Sequence, residues 1–191
     1  MGYLQMVLMN RRFAARRSSR AFSLVELMVV VAIAAVLAIV GVAMFRRHIA
    51  ATRGTEAYGV IQALRAAEAS YLAENHVYLN VSTGTNWYPN TTPNTSRYAW
   101  SNSKHIDYAG WQQLAPAVNR SVMFGYLVNA GTPGTVMPAL QIANSPANLG
   151  QPQPLDWYVI QAKGDTNGDG VPALYVATSL SGETYVQNEG D

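Results

Sequence analysis

The chain has 191 residues and no cysteine, with 13 lysines and arginines against 11 aspartates and glutamates. This length fits one domain, or two at most. A hydrophobic fraction of 49% is enough for a folded core and argues against disorder of the whole chain. The lack of cysteine excludes a disulfide framework, a thiol nucleophile and a thiolate metal site.

Basic charge is concentrated at the N-terminus. Residues 1–21 contain five arginines and no acidic residue. Residues 22–191 contain eight basic and eleven acidic residues, so their net charge is −3. We therefore predict no direct binding of nucleic acid, because no basic surface remains after the first segment.

Residues 22–45 form an apolar run of 24 residues with one charged side chain, Glu26. A helix of that length measures about 36 Å and can cross a bilayer core. An ordinary secretory signal has its small cleavage-site residue after the apolar stretch. Here the small residue, Ala21, precedes the run, so a cut there would keep the helix in the product. The five arginines before the run, against three soon after it, favour a cytoplasmic N-terminus.

Glu26 is unusual because a carboxylate near the centre of a membrane helix costs about 2–3.5 kcal/mol. After a cut behind Ala21, the new α-amino group of Phe22 would lie four residues from Glu26 on the same helix face. In an assembly, the amino group of a neighbouring chain is another partner. A glutamate near a helix N-terminus is also compatible with the helix dipole alone. Both explanations stay open at this point.

The segment RAFSLVELMVVVAIAAVLAIVGVAMF resembles the class III signal of type IV pilins and pseudopilins. That family has a basic leader, a small residue, the cut, usually phenylalanine, and glutamate as the fifth mature residue. Residues 16–20, Ala21, Phe22 and Glu26 match this pattern, although the family more often has glycine before the cut. Many members have a proline near the end of the apolar half, where this chain has Gly41. The resemblance implies that a prepilin peptidase cleaves the chain and methylates Phe22, and that the apolar helices form a filament core.

The helical pattern continues beyond the apolar run. Apolar residues recur at spacings of three and four at Ala57, Val60, Ile61, Leu64, Ala67 and Tyr71, with Thr52, Thr55, Glu56, Gln62 and Glu68 as polar partners. We predict one helix over residues 22–74, with a break at Gly54 or Gly59 as the alternative. Residues 22–45 are its membrane or filament-core half, and residues 46–74 are an amphipathic half that packs on a sheet.

The rest of the chain, residues 75–191, is predicted to be a globular domain. Residues 75–107 read as a long loop whose aromatic residues fold back on the domain, or else form a contact patch between subunits. A short helix at Tyr108–Leu114 precedes strands at 121–128, 136–142, 157–162, Ala173–Thr178 and 184–187. This order predicts an α+β fold with an antiparallel sheet. The resemblance implies a pilin-like fold of one helix spine and about four strands.

A possible calcium loop lies near the C-terminus. Asp165, Asn167 and Asp169 place oxygen ligands at alternate positions before Gly170, as in the first half of a calcium loop. Val176 replaces the bidentate acid of an EF-hand, so backbone carbonyls, water or the late acids Glu183, Glu189 and Asp191 would have to complete the shell. The alternative is a plain hairpin turn, for which Asn-Gly and Asp-Gly are common. In the family that the chain resembles, some pseudopilins have calcium in this region in place of a disulfide.

No catalytic motif is present, because His48, His76 and His105 are scattered and the sequence has no H-E-x-x-H, G-x-S-x-G or phosphate loop. We predict that the chain is not an enzyme and that its histidines are surface residues.

The predicted function is that of a type IV pilin. The precursor would sit in the inner membrane, lose the leader 1–21 and polymerise with itself into an extracellular filament for adhesion or motility. The resemblance implies a prepilin peptidase, a platform protein and an ATPase as partners. One alternative is a pseudopilin of a type II secretion system, which the calcium-like loop favours, whereas chain length and the aromatic loop favour a pilin. A different class, an uncleaved membrane-anchored binding protein, leaves Ala21, Phe22 and Glu26 unexplained.

Overall fold

A computed structural model describes residues 22–143 and 150–189. In chain order it contains helices α1 (Leu24–Asn75) and α2 (Tyr108–Leu114) and strands β1 (Gly125–Gly131), β2 (Trp157–Gly164), β3 (Ala173–Thr178) and β4 (Ser181–Gln187). The chain separates into one unit up to Val42 and a second from Ala43 onward. The predicted leader, residues 1–21, lies outside the described residues.

Helix α1 is continuous, as predicted, since the segment has no proline, and the alternative of a break at Gly54 or Gly59 does not occur. Within the first unit, Leu24–Val42 is long and apolar enough to cross a membrane, and none of this span is buried. At the other end, His76 has a positive φ of 62° and donates its N–H to the carbonyl of Leu72. This left-handed residue ends the helix one position after the predicted end.

The four strands form one antiparallel sheet in the order β1-β2-β3-β4. Because side chains alternate along a strand, Tyr158, Ile160 and Ala162 of β2 share one face. That face forms the main core with the apolar stripe of α1, which consists of Ala57, Val60, Ile61 and Leu64. The α+β class and the pilin-like arrangement of a helix on four antiparallel strands are confirmed.

A second apolar cluster covers the opposite face of the sheet. Met137 and Ile142 pack there in a second cluster with Trp157, Val159 and Val176. The predicted strand at 136–142 is wrong, since this segment makes only an isolated bridge between Val136 and Pro152. Pro138 cannot donate a ladder hydrogen bond. The segment is therefore apolar because it covers the sheet and not because it joins the sheet.

The long loop contains neither helix nor strand over residues 76–107, one residue later than its predicted start, because Asn75 is the last residue of α1. Its residues Trp87, Tyr88 and Trp100 are buried. The ring of Tyr88 stacks on Trp111 of α2 with centroids 4.7 Å apart. The backbone of Tyr88 also exchanges two hydrogen bonds with Tyr126 of β1, at 2.9 and 2.7 Å. The loop thus folds back on the domain through its aromatic residues, which is the interpretation that the sequence favoured.

Candidate functional site

The start of α1 is closed by a reciprocal pair of hydrogen bonds. The N–H of Glu26 donates to Oγ of Ser23 at 3.1 Å, and the N–H of Ser23 donates to Oε2 of Glu26 at 3.4 Å. This is a capping box, in which a serine and a glutamate three residues apart satisfy the free amides of a helix end. The Ser-x-x-Glu spacing is the usual sequence signal of a capping box, and this box was not among the predicted features.

The surface around Glu26 is apolar and open. Phe22 is 76% exposed, and the large apolar side chains that follow it in this unit are likewise exposed. A carboxylate has about four acceptor sites, and the single long bond to Ser23 occupies one of them. Glu26 therefore retains capacity for a further donor. Ala21, the predicted residue before the cut, lies outside the described residues.

Glu56, predicted to be a polar position of the amphipathic helix, is buried instead. Its Oε1 accepts the N–H of Met123 at 2.7 Å. Its Oε2 accepts a charged hydrogen bond from Arg97 at 2.6 Å. The carboxylate fixes α1 to the long loop and to the segment before β1.

Glu68, the second such position, is also buried, with no exposed surface. Its Oε2 accepts the N–H of Leu79 at 3.0 Å, and Oε1 has no partner among the described residues. Burial, which penalises the charged form, raises the pKa of Glu68 to about 7, although the bond from Leu79 acts in the opposite direction. The first residues after α1 are thus held against the helix by a carboxyl group close to its pKa at neutral pH.

The predicted calcium residues meet in the connection between β2 and β3. Asp165 accepts the N–H groups of Gly168 at 2.7 Å and Gly170 at 3.0 Å. The side-chain amide of Asn167 donates to Asp169 at 3.0 Å. Both glycines have positive φ angles, 81° and 87°, which the turn requires. These contacts build a tight turn, in which the side chains of Asn167 and Asp169 are in contact.

The groups that would complete a calcium shell are less favourably placed. Arg53 of α1 donates to the carbonyl oxygen of Thr166, within the same turn. Burial is the main reason that the pKa of Tyr58 is raised. The charge of Glu189 and its hydrogen bond with Tyr58 raise that pKa further. Across the described ranges, no three His, Asp or Glu side chains lie close enough to hold a metal ion. Asp191 is outside those ranges.

One histidine departs from the prediction of surface positions. His105 is buried, and its Nδ1 accepts the N–H of Asp107 at 3.1 Å. The Nε2–H can then donate to the carbonyl oxygen of Trp87 at 3.0 Å. This pattern corresponds to a neutral ring that orders the loop. His48 and His76 are exposed as predicted.

The comparison with protein families agrees with the N-terminal signal. Residues 16–42 match the prokaryotic N-terminal methylation motif. The chain therefore carries a class III signal, and this motif supports the general class of type IV pilins and pseudopilins. That class is structural, and its signal implies a prepilin peptidase, a pilus-type assembly machinery and a membrane-anchored precursor. No curated protein and no solved structure matches the chain.

Proposed function

We propose that this chain is a type IV pilin, the repeating subunit of a surface filament used for adhesion or motility. The observation that supports it most is the methylation motif, which runs into an apolar helix with no buried side chain in Leu24–Val42. Exposure of such a surface to water is unfavourable, because burial of apolar area stabilises a protein by about 25 cal/mol for each Å². Lipid would cover it in the precursor, and sister helices would cover it in the filament. The role is structural and requires no catalytic group.

Processing between Ala21 and Phe22 is the first step of this proposal. The prepilin peptidase would remove the five-arginine leader and expose a positively charged amino group at Phe22. The platform protein and ATPase would then extract the mature chain from the inner membrane. Intact mass and N-terminal sequence of protein sheared from cells test this step. A chain that begins at methylated Phe22 in the sheared fraction supports the pilin, and an intact leader in the membrane supports the anchored binding protein.

The same experiment separates the pilin from the pseudopilin. A chain cut at Phe22 but retained in membranes, with no sheared filament, would support a pseudopilin of a type II secretion system. A secretion defect in a deletion strain, without loss of surface filaments, would support it further.

Glu26 is proposed to set the offset between neighbouring subunits. A carboxylate buried among apolar helices is costly unless it is paired, so only offsets that bring it to a Phe22 amino group are favourable. Ser23→Ala provides a matched control for Glu26→Ala. It removes one bond of the capping box, worth about 1 kcal/mol, and keeps the carboxylate.

The two variants separate assembly from helix capping. We expect Glu26→Ala to lose sheared filaments, as measured by electron microscopy and immunoblotting, and Ser23→Ala to retain most of them. Equal yields in the two variants would show that Glu26 only caps its helix.

Calcium binding at the turn of Asp165, Asn167 and Asp169 is a separate proposal. The contact between Asn167 and Asp169, in the turn that also contains Asp165, supports it, and the bond from Arg53 to the neighbouring carbonyl weighs against it. Titration calorimetry with CaCl₂ tests it on the wild-type chain and on Asp169→Asn, which retains the acceptor for the N–H of Val171. Heat that is absent in the variant supports a calcium site, and no heat in either chain leaves a plain turn.

A further inference from the structure

Charge is unevenly distributed along the part of the chain that follows α1. Residues 76–155 contain three lysines and arginines and a single acidic residue, Asp107, which is buried. Residues 156–191 contain six acidic residues and a single lysine. The first of these segments includes β1 and the second includes β4, and these two strands are the edges of the sheet. One edge is therefore bordered by positive charge and the other by negative charge.

Arg120 brings an unpaired guanidinium group to the β1 side. The residue is exposed, and in the described part of the chain no hydrogen bond or ion pair engages its side chain. Arg97, by contrast, is paired with Glu56. The Nη2 of Arg120 lies beside α1, where a Cβ added to Gly59 would approach it to 3.3 Å. This guanidinium group can bind an acid of another molecule without breaking a bond within its own chain.

A groove of about 290 Å³ lies beside Arg120, which is part of its lining. Val60 and Ala63 of α1 contribute to this lining, and so do Ala117 and Val118 of the segment before β1. The groove is thus mostly apolar and carries one positive charge. Such a surface suits an apolar side chain that has a carboxylate close to it.

The connection between β3 and β4 presents these two groups. It is a turn of two residues, and its second residue, Leu180, is 42% exposed. Glu183 follows three positions later and is exposed. Among the residues that the structure describes, hydrogen bonds involve the backbone of Glu183 and none engages its carboxylate. We call Leu180 and Glu183 the hairpin tip.

The other described acids of residues 156–191 are less available than Glu183. Asp165 and Asp169 accept backbone N–H groups of their own turn. Glu189 forms a hydrogen bond with a tyrosine of α1, and Asp156 is half-buried. Glu183 is therefore the carboxylate that is best placed to pair with another chain.

The groove and the hairpin tip lie on different flanks of α1. Gly59 faces Arg120, whereas Arg65, six residues later, donates to the backbone carbonyl of Glu183 at 2.7 Å. Six residues turn a helix by about 600°, so these two contacts leave α1 about 120° apart. One chain thus presents both surfaces without joining them. A contact between two different surfaces is heterologous, and its repetition builds an open helical polymer.

We propose that the hairpin tip of one chain docks in the groove of the next chain. Leu180 occupies the apolar part of the groove, and the carboxylate of Glu183 pairs with the guanidinium group of Arg120. Two parallel hydrogen bonds in such a pair fix the orientation of one globular unit on the next. The contact rests on the proposed filament function and adds to it a site of cohesion outside the apolar helices.

Reversal of the two charges tests the pair in cells. Arg120→Glu and Glu183→Arg each place like charges in every contact, so each should reduce the yield of sheared filaments about tenfold or more. The double variant restores opposite charges and should recover most of the yield. Lys104→Glu is the matched control, because Lys104 is exposed on the same basic segment and does not line the groove, and it should assemble like wild type. Normal yields in the single variants, a double variant that assembles no better than they do, or an equal loss in the control would overturn the proposal.

The absence of cysteine from the chain allows a second, direct measurement. Ala117→Cys and Leu180→Cys introduce one thiol at the groove and one at the hairpin tip. In filaments treated with a bis-maleimide, the double variant should give a ladder of cross-linked chains on a denaturing gel, because a heterologous contact repeats. Each single variant should remain monomeric.

The cross-linking result separates this contact from the pilin function. Filaments that form without the ladder, or the same cross-links in a single variant, would overturn the contact and leave the pilin function standing. A wild-type strain that yields no sheared filaments would contradict the pilin function itself, and the contact with it.

Discussion

Replacing Glu68 by glutamine tests whether the buried carboxyl group of α1 holds a proton in the folded protein. Glu68 is fully buried, and its one described hydrogen bond comes from the N–H of Leu79. Burial is the main reason that the pKa values of Tyr78 and Tyr158 are raised. The nearby charge of Glu68 raises both of them further. Glutamine retains an acceptor for Leu79 and cannot ionise.

The direction of the effect follows from the raised pKa. Between pH 4.5 and about 7, the folded chain keeps a proton on Glu68 that the unfolded chain has released. The stability of the wild-type chain therefore falls as the pH rises through this window. The rise of the pKa from 4.5 to about 7 corresponds to about 3 kcal/mol.

The comparison between two pH values isolates that quantity. Glutamine buries an amide whose cost is the same at every pH, so this cost cancels in the difference. The free energy of unfolding of Glu68→Gln, minus that of wild type, should thus increase by about 3 kcal/mol from about pH 4 to about pH 8. Acid protonation of other carboxylates affects both chains equally.

Urea unfolding of the full chain in micelles, followed by tryptophan fluorescence, provides the measurement. All four tryptophans, Trp87, Trp100, Trp111 and Trp157, are buried and report on the globular unit. Glu74→Gln is the control, because Glu74 is exposed on the same helix. Stability curves of wild type and Glu68→Gln that run parallel across the window would refute a protonated Glu68.

Two further predictions concern the packing of the globular unit. Glu56→Ala should lower the free energy of unfolding by about 2–4 kcal/mol, because it leaves a buried backbone N–H unpaired. Arg97→Ala should cost only about 1 kcal/mol, since 52% of that side chain is exposed, and the reverse order in urea unfolding would contradict this account. Gly164→Ala should cost about 1–3 kcal/mol, because the added Cβ would lie 2.6 Å from the ring of Phe124. Gly182→Ala meets nothing within 4 Å and should change stability by less than about 0.5 kcal/mol, and equal losses for the two glycines would refute this steric argument.

The elements with a strong local pattern were predictable from the sequence. The apolar run 22–45 and the stripe that follows it produced α1 with bounds within two residues. The strand Ala173–Thr178 was predicted with its observed bounds, because β-branched and aromatic residues end abruptly there at polar turn residues. These patterns involve residues that are close to one another in the chain, so a single sequence is enough to reveal them.

The buried glutamates show where local pattern and residue type conflict. Glu56, Val60, Leu64 and Glu68 follow one another at intervals of four, so periodicity alone places both glutamates on the buried face. Residue type suggested solvent, because charged side chains are seldom buried unless they are paired. The outcome depends on partners such as Met123, which lies 67 residues from Glu56. Nothing in the local sequence identifies such a donor.

The packing of Trp100 on Trp111 was beyond sequence reasoning for a similar reason. Trp100 belongs to the long loop and Trp111 to α2, and their ring centroids lie 5.4 Å apart. Their proximity follows from the folding of the loop onto the sheet. A tryptophan in the sequence suggests a core residue, and only the structure shows an indole N–H without an acceptor among the described residues.

The glutamates of α1 also bear on how assembly works. Glu56 and Glu68 each accept a backbone N–H from a segment that follows α1 in the chain and folds back on it. In the first unit, the only described hydrogen bonds of the Glu26 and Ser23 side chains are those of the capping box. The bond to the carboxylate of Glu26 comes from the N–H of Ser23 and is 3.4 Å long. When lipid or sister helices cover this apolar surface, water no longer satisfies the remaining acceptor sites of Glu26. A further donor must then come from beyond the capping box. The amino group that the proposed cleavage would create at Phe22 would be such a donor, so cleavage and the pairing of subunits would be coupled in the proposed filament.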